Sequence, residues 1–138
     1  MKPWSKLQRE IEKLFMDGLS IRIHCRAYRM DSQRGSTDLP RYWITLGKDI
    51  IFDYPKDFAA AKTSYPYLTD ISSISRLIRD YIDTPVDDLL INEFEDPWGL
   101  IEIFLAADRR IGKRRLRELG EKLSSDAAKL VLEKRNVS

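Results

Sequence analysis

The chain has 138 residues, 33% of them charged and 43% apolar, with 24 Lys and Arg against 22 Asp and Glu. A formal net charge of +2 excludes capture of a polyanion by bulk charge alone, and the single Cys25 excludes an internal disulfide framework and suits a reducing compartment. The apolar runs fall far short of the roughly 20 residues that a membrane span needs.

The opening, MKPWSKLQREIEKLF, mixes charges where a secretion signal needs an apolar core, so a cytoplasmic protein is expected. Its length suits one domain over residues 1–138. Trp4, Leu7, Ile11, Leu14 and Phe15 recur at helical spacing over residues 3–16, and Gly18 stands where a helix stops. Residues 19–30 then alternate as a strand does. Leu19, Ile21, Ile23, Cys25 and Ala27 share one face, and Ser20, Arg22, His24, Arg26 and Tyr28 the other.

Residues 31–40, DSQRGSTDLP, are polar and aperiodic and read as a loop. The following segment reads as a β-hairpin. Two runs rich in Ile, Tyr, Trp and Phe, residues 41–46 and 49–53, flank Gly47-Lys48, and Gly at the first position of a two-residue turn suits type II′. That turn pairs Leu46 with Asp49, Thr45 with Ile50, Ile44 with Ile51, Trp43 with Phe52 and Tyr42 with Asp53. Both sheet faces are then apolar, and both expect a cover.

The second half is helical. Residues 56–62 suggest a short helix and 64–69 a loop. Ile71, Ile74, Leu77, Ile78, Tyr81 and Ile82 form an apolar stripe. Thr84-Pro85 and Asp96-Pro97 each pair an N-cap residue with Pro at the first helical position, predicting helices with Val86, Leu89, Leu90 and Phe94, and with Leu100, Ile101, Phe104 and Leu105. Leu116, Leu119 and Leu123 mark another helix and residues 126–134 a last one, with 136–138 frayed. The expected fold class is α+β: an N-terminal helix, a three-stranded antiparallel sheet and a helical C-terminal half packing on it.

Three features could carry chemistry. The first is a charge switch. Residues 80–108 hold nine acids and no Lys or Arg; residues 109–117, RRIGKRRLR, then hold six bases, Arg109, Arg110, Lys113, Arg114, Arg115 and Arg117. Guanidinium forks match phosphate oxygens, so the run offers a nucleic-acid or phosphate surface. The near-balanced net charge favours the alternative, in which the run folds back and neutralises the acidic helices. No aromatic residue interleaves it to give stacked bases a platform.

The second feature is the basic strand face, Arg22, His24 and Arg26, which could meet Trp43 and bind an anion, or could be a half-solvated surface. The third is the loop, with Asp31, Arg34 and Asp38, long enough to carry function or to be a solvated connection. His24 and Cys25 are strand neighbours and point to opposite faces, so they form no nucleophile–base pair. With one His and one Cys in the chain, a His/Cys metal cluster is excluded, and no cofactor-binding motif occurs.

Together, MDSQRGSTDLPRYWITL, DPWGLIEIFLAADRRIGKRRL, WSKLQREIEKLF and IFDYP resemble a family of small uncharacterised bacterial proteins. The resemblance spans most of the chain and implies a bacterial cytoplasmic origin; it carries no activity, cofactor or catalytic residue. Three functional readings follow. The leading one is a non-catalytic binding module for a protein partner, through the 31–38 loop or the acidic helices. The second is binding of nucleic acid or a phosphorylated ligand by residues 109–117. The third is a small enzyme using His24 as general base. Composition fixes neither ligand nor oligomeric state.

Overall fold

Helix α1 (Trp4–Glu12) turns Leu7 and Ile11 into the core. It is followed by β1 (Ile21–Ser32), β2 (Gly35–Leu46), β3 (Asp49–Tyr54), α2 (Ser73–Asp83), a single 3-10 turn (Val86–Asp88), α3 (Leu100–Ala107), α4 (Lys113–Lys122) and α5 (Asp126–Val137). The structure, a computed structural model, describes residues 4–32, 35–54 and 73–137. The strands form one antiparallel sheet in the order β1-β2-β3, so the α+β arrangement is as expected. The helix and loop expected at 56–62 and 64–69 lie outside the described residues.

α1 covers an edge of that sheet. Ile23 on β1 turns both backbone groups away from β2; its N–H donates to Glu12 Oε2 at 3.0 Å, and its carbonyl accepts from Gln8 Nε2 at 2.7 Å. A helix whose polar side chains satisfy an edge strand removes a template for unwanted pairing. The helix ends at Glu12, short of the expected residue 16, because the next residues serve another contact. Met16 N–H donates to Ala107 O and Arg109 N–H to Leu14 O, each at 2.7 Å, and Phe15 bridges to Asp108.

The hairpin turn is as expected. Gly47 has φ +62°, and among the described residues Ser20 is the one non-glycine with positive φ. Lys48 therefore has the negative φ of a type II′ turn, since type I′ needs positive φ at both central residues. The register is as expected for Leu46–Asp49 and Thr45–Ile50 and then departs. A bulge makes Ile51 an extra residue, so Ile44 pairs with Phe52, Trp43 with Asp53 and Tyr42 with Tyr54. The bulge has a physical reason. The unbroken register would have carried Asp53 to the buried face opposite Tyr42; the shifted one turns it outward and sends Phe52 and Tyr54 to the core. The covered face thus holds Ile21, Ile23, Tyr42, Ile44 and Leu46, all buried. The other holds Arg22, His24, Arg41, Trp43, Thr45 and Asp53, so the expected doubly apolar sheet is corrected to a one-sided one.

The expected ten-residue loop is also corrected. β1 and β2 keep pairing through Arg29–Asp38, Asp31–Ser36 and Ser32–Gly35. Among the described residues β3 pairs no further than Tyr42, and the outer part of β1 and β2 pairs there as a two-stranded ribbon. The ladder persists because its register runs unbroken from Ile21–Leu46 to the tip.

Neither expected helix start puts Pro at the first helical position, and one of the two residues before Pro still acts as a cap. The Asp96 carboxylate accepts the N–H groups of Gly99, Leu100 and Ile101 at 2.8–3.1 Å, and Trp98 N–H at 3.3 Å, so it caps α3 although the helix proper opens at Leu100. Thr84 instead donates backward to Asp80 O at 2.7 Å, closing α2, and leaves Pro85 to begin only the 3-10 turn. α5 continues through Asn136 to Val137, past the expected frayed end.

α3 is almost wholly buried, and the residues after it tie the helices together. Asp108 is fully buried (0% exposed). Its carboxylate accepts Tyr81 OH at 2.6 Å and Arg110 Nη2 at 2.7 Å, and Arg110 N–H at 2.9 Å. Burial, then the adjacent carboxylate, pushes the Tyr81 hydroxyl well above its usual range, so it donates at all ordinary pH. Arg135 from α5, 7% exposed, donates to the carbonyls of Ala106, Asp108 and Ile111. These are orphan carbonyls at and beyond a helix C-terminus, where a cation is favoured.

Replacing Asp108 with Ala strands the Tyr81 hydroxyl and Arg110; the urea midpoint should fall by the equivalent of about 3 kcal/mol. Tyr81→Phe removes one hydrogen bond and should cost about 1–2 kcal/mol. Equal, small effects in the two variants would contradict this ordering.

Candidate functional site

The basic run does not act as a unit. Arg110 turns back onto Asp108, and Arg115 reaches Asp87 at 3.1 Å on the surface. Arg109 donates to Lys13 O at 2.8 Å and stays exposed. Lys113, Arg114 and Arg117 are exposed and have no carboxylate partner among the described residues. Two further acids of the segment are satisfied by other means: Asp96 caps α3, and Glu102 accepts the Ser124 N–H at 2.6 Å and the Ser124 hydroxyl at 3.0 Å. Internal neutralisation is therefore partial.

The unneutralised cations surround a cleft. An open hollow of about 620 Å³ is walled by Arg109, Lys113 and Arg117, with Ile111, Leu116 and Leu132 beneath, Met16 at one side and the buried Arg135 behind. Its position follows from the sequence. Gly112, extended at φ −80° and ψ 173°, starts α4 immediately after the segment fixed by Asp108 and Arg135. Lys113 and Arg117 are four apart and share a helix face. Leu116 and Leu119 bury the adjacent face. Gly120 lets α5 come close; a Cβ there would lie 3.2 Å from Leu132 Cδ2. Among the described residues no carboxylate lines the cleft. Burial lowers the affinity of Arg135 for its proton, but the group remains a cation at neutral pH.

The sheet face is a different kind of surface. His24 stacks on Trp43, with centroids 5.1 Å apart and planes at 17°. Arg41 lies 5.3 Å from the same indole and grips Asp53 through two bonds of 2.9 and 2.6 Å. His24 Nε2 is 3.1 Å from Thr45 Oγ1. The indole, imidazole, guanidinium and carboxylate here satisfy one another. Arg22 and Arg26 are exposed on the same strand face, with Arg22 3.6 Å from Glu12. Neither they nor His24 line the cleft beside α4. Cys25 faces the core side, where burial pushes its thiol up, opposite to what a nucleophile needs.

Asp31 and Asp38 sit on the ribbon, paired in register with Ser36 and Arg29. Arg34 lies outside the described residues. Two other hollows are lined by described residues. One of about 650 Å³ runs beside β3 and is mostly apolar, with Phe52, Tyr54, Trp98 and Ile103. One of about 430 Å³ is acidic, with Asp80, Asp83, Glu93 and Glu95. Among the described residues no group of His, Cys, Asp and Glu assembles as a metal site, and no helix is long and apolar enough to cross a membrane.

The cleft draws Arg109 and Lys113 together and separates them from Arg110, Arg114 and Arg115. Sequence reasoning included Arg117 in the basic run of residues 109–117 but missed that it shares a helix face with Lys113, four residues before it. It also missed Arg135, 18 residues beyond Arg117 on another helix, for which the sequence held no signal.

The chain matches the model of the SF0329 protein family over residues 3–70 and 59–135. It belongs to that family. No curated protein and no solved structure matches it.

The His24 titration tests the sheet face. Burial first, and Arg22 second, hold the imidazole below its ordinary value of about 6.5, with Glu12 pulling the other way. The folded state thus binds its proton less tightly than the unfolded state does. The His24 contribution to stability is full above about 6.5 and is lost as pH falls towards the lower folded value. NMR should show a midpoint below 6.5 that rises in Arg22→Ala; a midpoint above it would contradict the assigned environment.

Proposed function

We propose that this protein is a non-catalytic binding module that takes an acidic, partly apolar segment of a protein partner into the cleft beside α4. The observation that carries the reading is the pairing of a cationic rim, Arg109, Lys113 and Arg117, with an apolar floor, Ile111, Leu116 and Leu132, and no carboxylate in the wall among the described residues. An acidic segment gains charge pairing at the rim, and its apolar side chains gain burial on the floor. A nucleic acid would gain only the first, because among the described residues no aromatic side chain lines the cleft to stack a base. A general-base enzyme is the weaker alternative, since His24 lies outside this cleft and bonds Thr45. The resemblance and the single Cys25 support a bacterial cytoplasmic setting for the module.

Fluorescence anisotropy decides between the ligands. A labelled amphipathic peptide of Glu and Leu should bind at about 50 mM salt, weaken as salt rises, and bind at least about tenfold less tightly to Arg117→Glu. Arg22→Ala, on the sheet face, should leave it unchanged. Tighter binding of a single-stranded oligonucleotide than of the peptide would favour the nucleic-acid reading.

A further inference from the structure

The molecule itself carries a segment of the chemistry that the cleft fits. Residues 87–95, the end of the 3-10 turn and the chain that follows it, carry Asp87, Asp88, Glu93 and Glu95 on either side of Leu90 and Ile91 in sequence. Ile91 is 77% exposed, more than any other large apolar side chain among the described residues, and Leu90 is 37% exposed. Asp88, Glu93 and Glu95 meet no cation among the described residues. An exposed isoleucine in an acidic segment is the chemical complement of an apolar floor with bases at its rim.

The same molecule cannot close this contact on itself. On α4, Lys113 and Arg117 face the cleft, while Arg115 lies two residues, about 200°, round the helix from Lys113. It is Arg115 that reaches Asp87. The acidic turn therefore sits on the side of α4 away from the cleft, held there by its own ion pair. Building on the cleft reading above, we infer that the partner is a second copy of this chain, its residues 87–95 seated in the cleft with Ile91 on Ile111, Leu116 and Leu132. The two surfaces differ, so the contact is head-to-tail, and repeating it gives a ring or a chain of copies rather than a two-fold dimer.

Sedimentation velocity on the full chain tests this with two variants, Ile91→Glu and the double variant Lys113→Glu/Arg117→Glu. All three positions are exposed, so both variants should keep the wild-type circular dichroism spectrum. At about 50 mM salt the wild type should form species larger than a monomer that grow with concentration and recede at about 500 mM. Each variant alone should associate at least about tenfold more weakly. An equimolar mixture of the two should recover a 1:1 dimer that grows no further, because the intact turn of one meets the intact cleft of the other.

A wild type that stays monomeric at low salt overturns the inference, as does association unaffected by Ile91→Glu or a mixture that stays monomeric. If the wild type is monomeric while the Glu and Leu peptide still binds through Arg117, self-association falls and the cleft reading stands. If the peptide fails as well, both fall.

Discussion

A buried carboxylate sets the arrangement of the helices. Asp108 stands fully out of water where α3 ends, and an unpaired carboxylate there would cost several kcal/mol. Its partners come from distant parts of the chain: Tyr81 from α2, Arg110 from the turn that follows, and Arg135 from α5 on its carbonyl. Phe15, just past α1, joins through the backbone bridge. Moving any of these elements by a few ångströms would leave a buried polar group without a partner. That penalty makes the set specific in a way that apolar packing alone, which tolerates repacking, does not. It also fixes the short path from Asp108 to Gly112, and so the direction in which α4 leaves and the place of its exposed cations.

The sheet obeys the same rule at its edges. Ile23 would present an open N–H and carbonyl, and α1 supplies Glu12 and Gln8 to meet them. Asp53 would face the core in a regular hairpin, and the bulge at Ile51 turns it out to Arg41. In both places a polar requirement decides the geometry, and the apolar side chains then fill the space it leaves.

This explains which parts of the fold could be read from the chain. Periodicity located every described helix, the alternating face of β1 and the Gly47-Lys48 turn, because burial imposes those patterns locally. It did not reveal the bulge, since the sequence of β3 is apolar on either register and the choice rests on where Asp53 ends up. The ribbon was read as a loop because residues 31–40 are polar and show no alternation. Thr84 and Asp96 look equivalent in sequence, both preceding Pro, yet only Asp96 caps forward; Thr84 had a carbonyl at Asp80 within reach. The charge switch was legible as composition, but its outcome depends on which way each side chain points. Two of the six bases find acids of the preceding segment, and three line a hollow whose far wall, Arg135, lies on α5.

The cleft is also where the chain departs from local stability rules. α4 opens with Lys113, Arg114 and Arg115 and has no acid in its first turn. Cations at a helix N-terminus oppose the macrodipole, at about 0.3–1 kcal/mol each when exposed. Lys113 and Arg117 add a like-charge pair at a spacing of four, a further few tenths of a kcal/mol. Elsewhere the molecule places its charges well, with Asp96 at the start of α3 and Arg135 at its end. A helix start that concentrates positive charge beside an apolar floor is destabilised until an anion docks, and each contact to that anion then relieves repulsion as well as adding attraction. On the cleft reading proposed above, the free energy withheld from the isolated fold at α4 would be available to binding; within the fold itself it is a local conflict among exposed cations at a helix start.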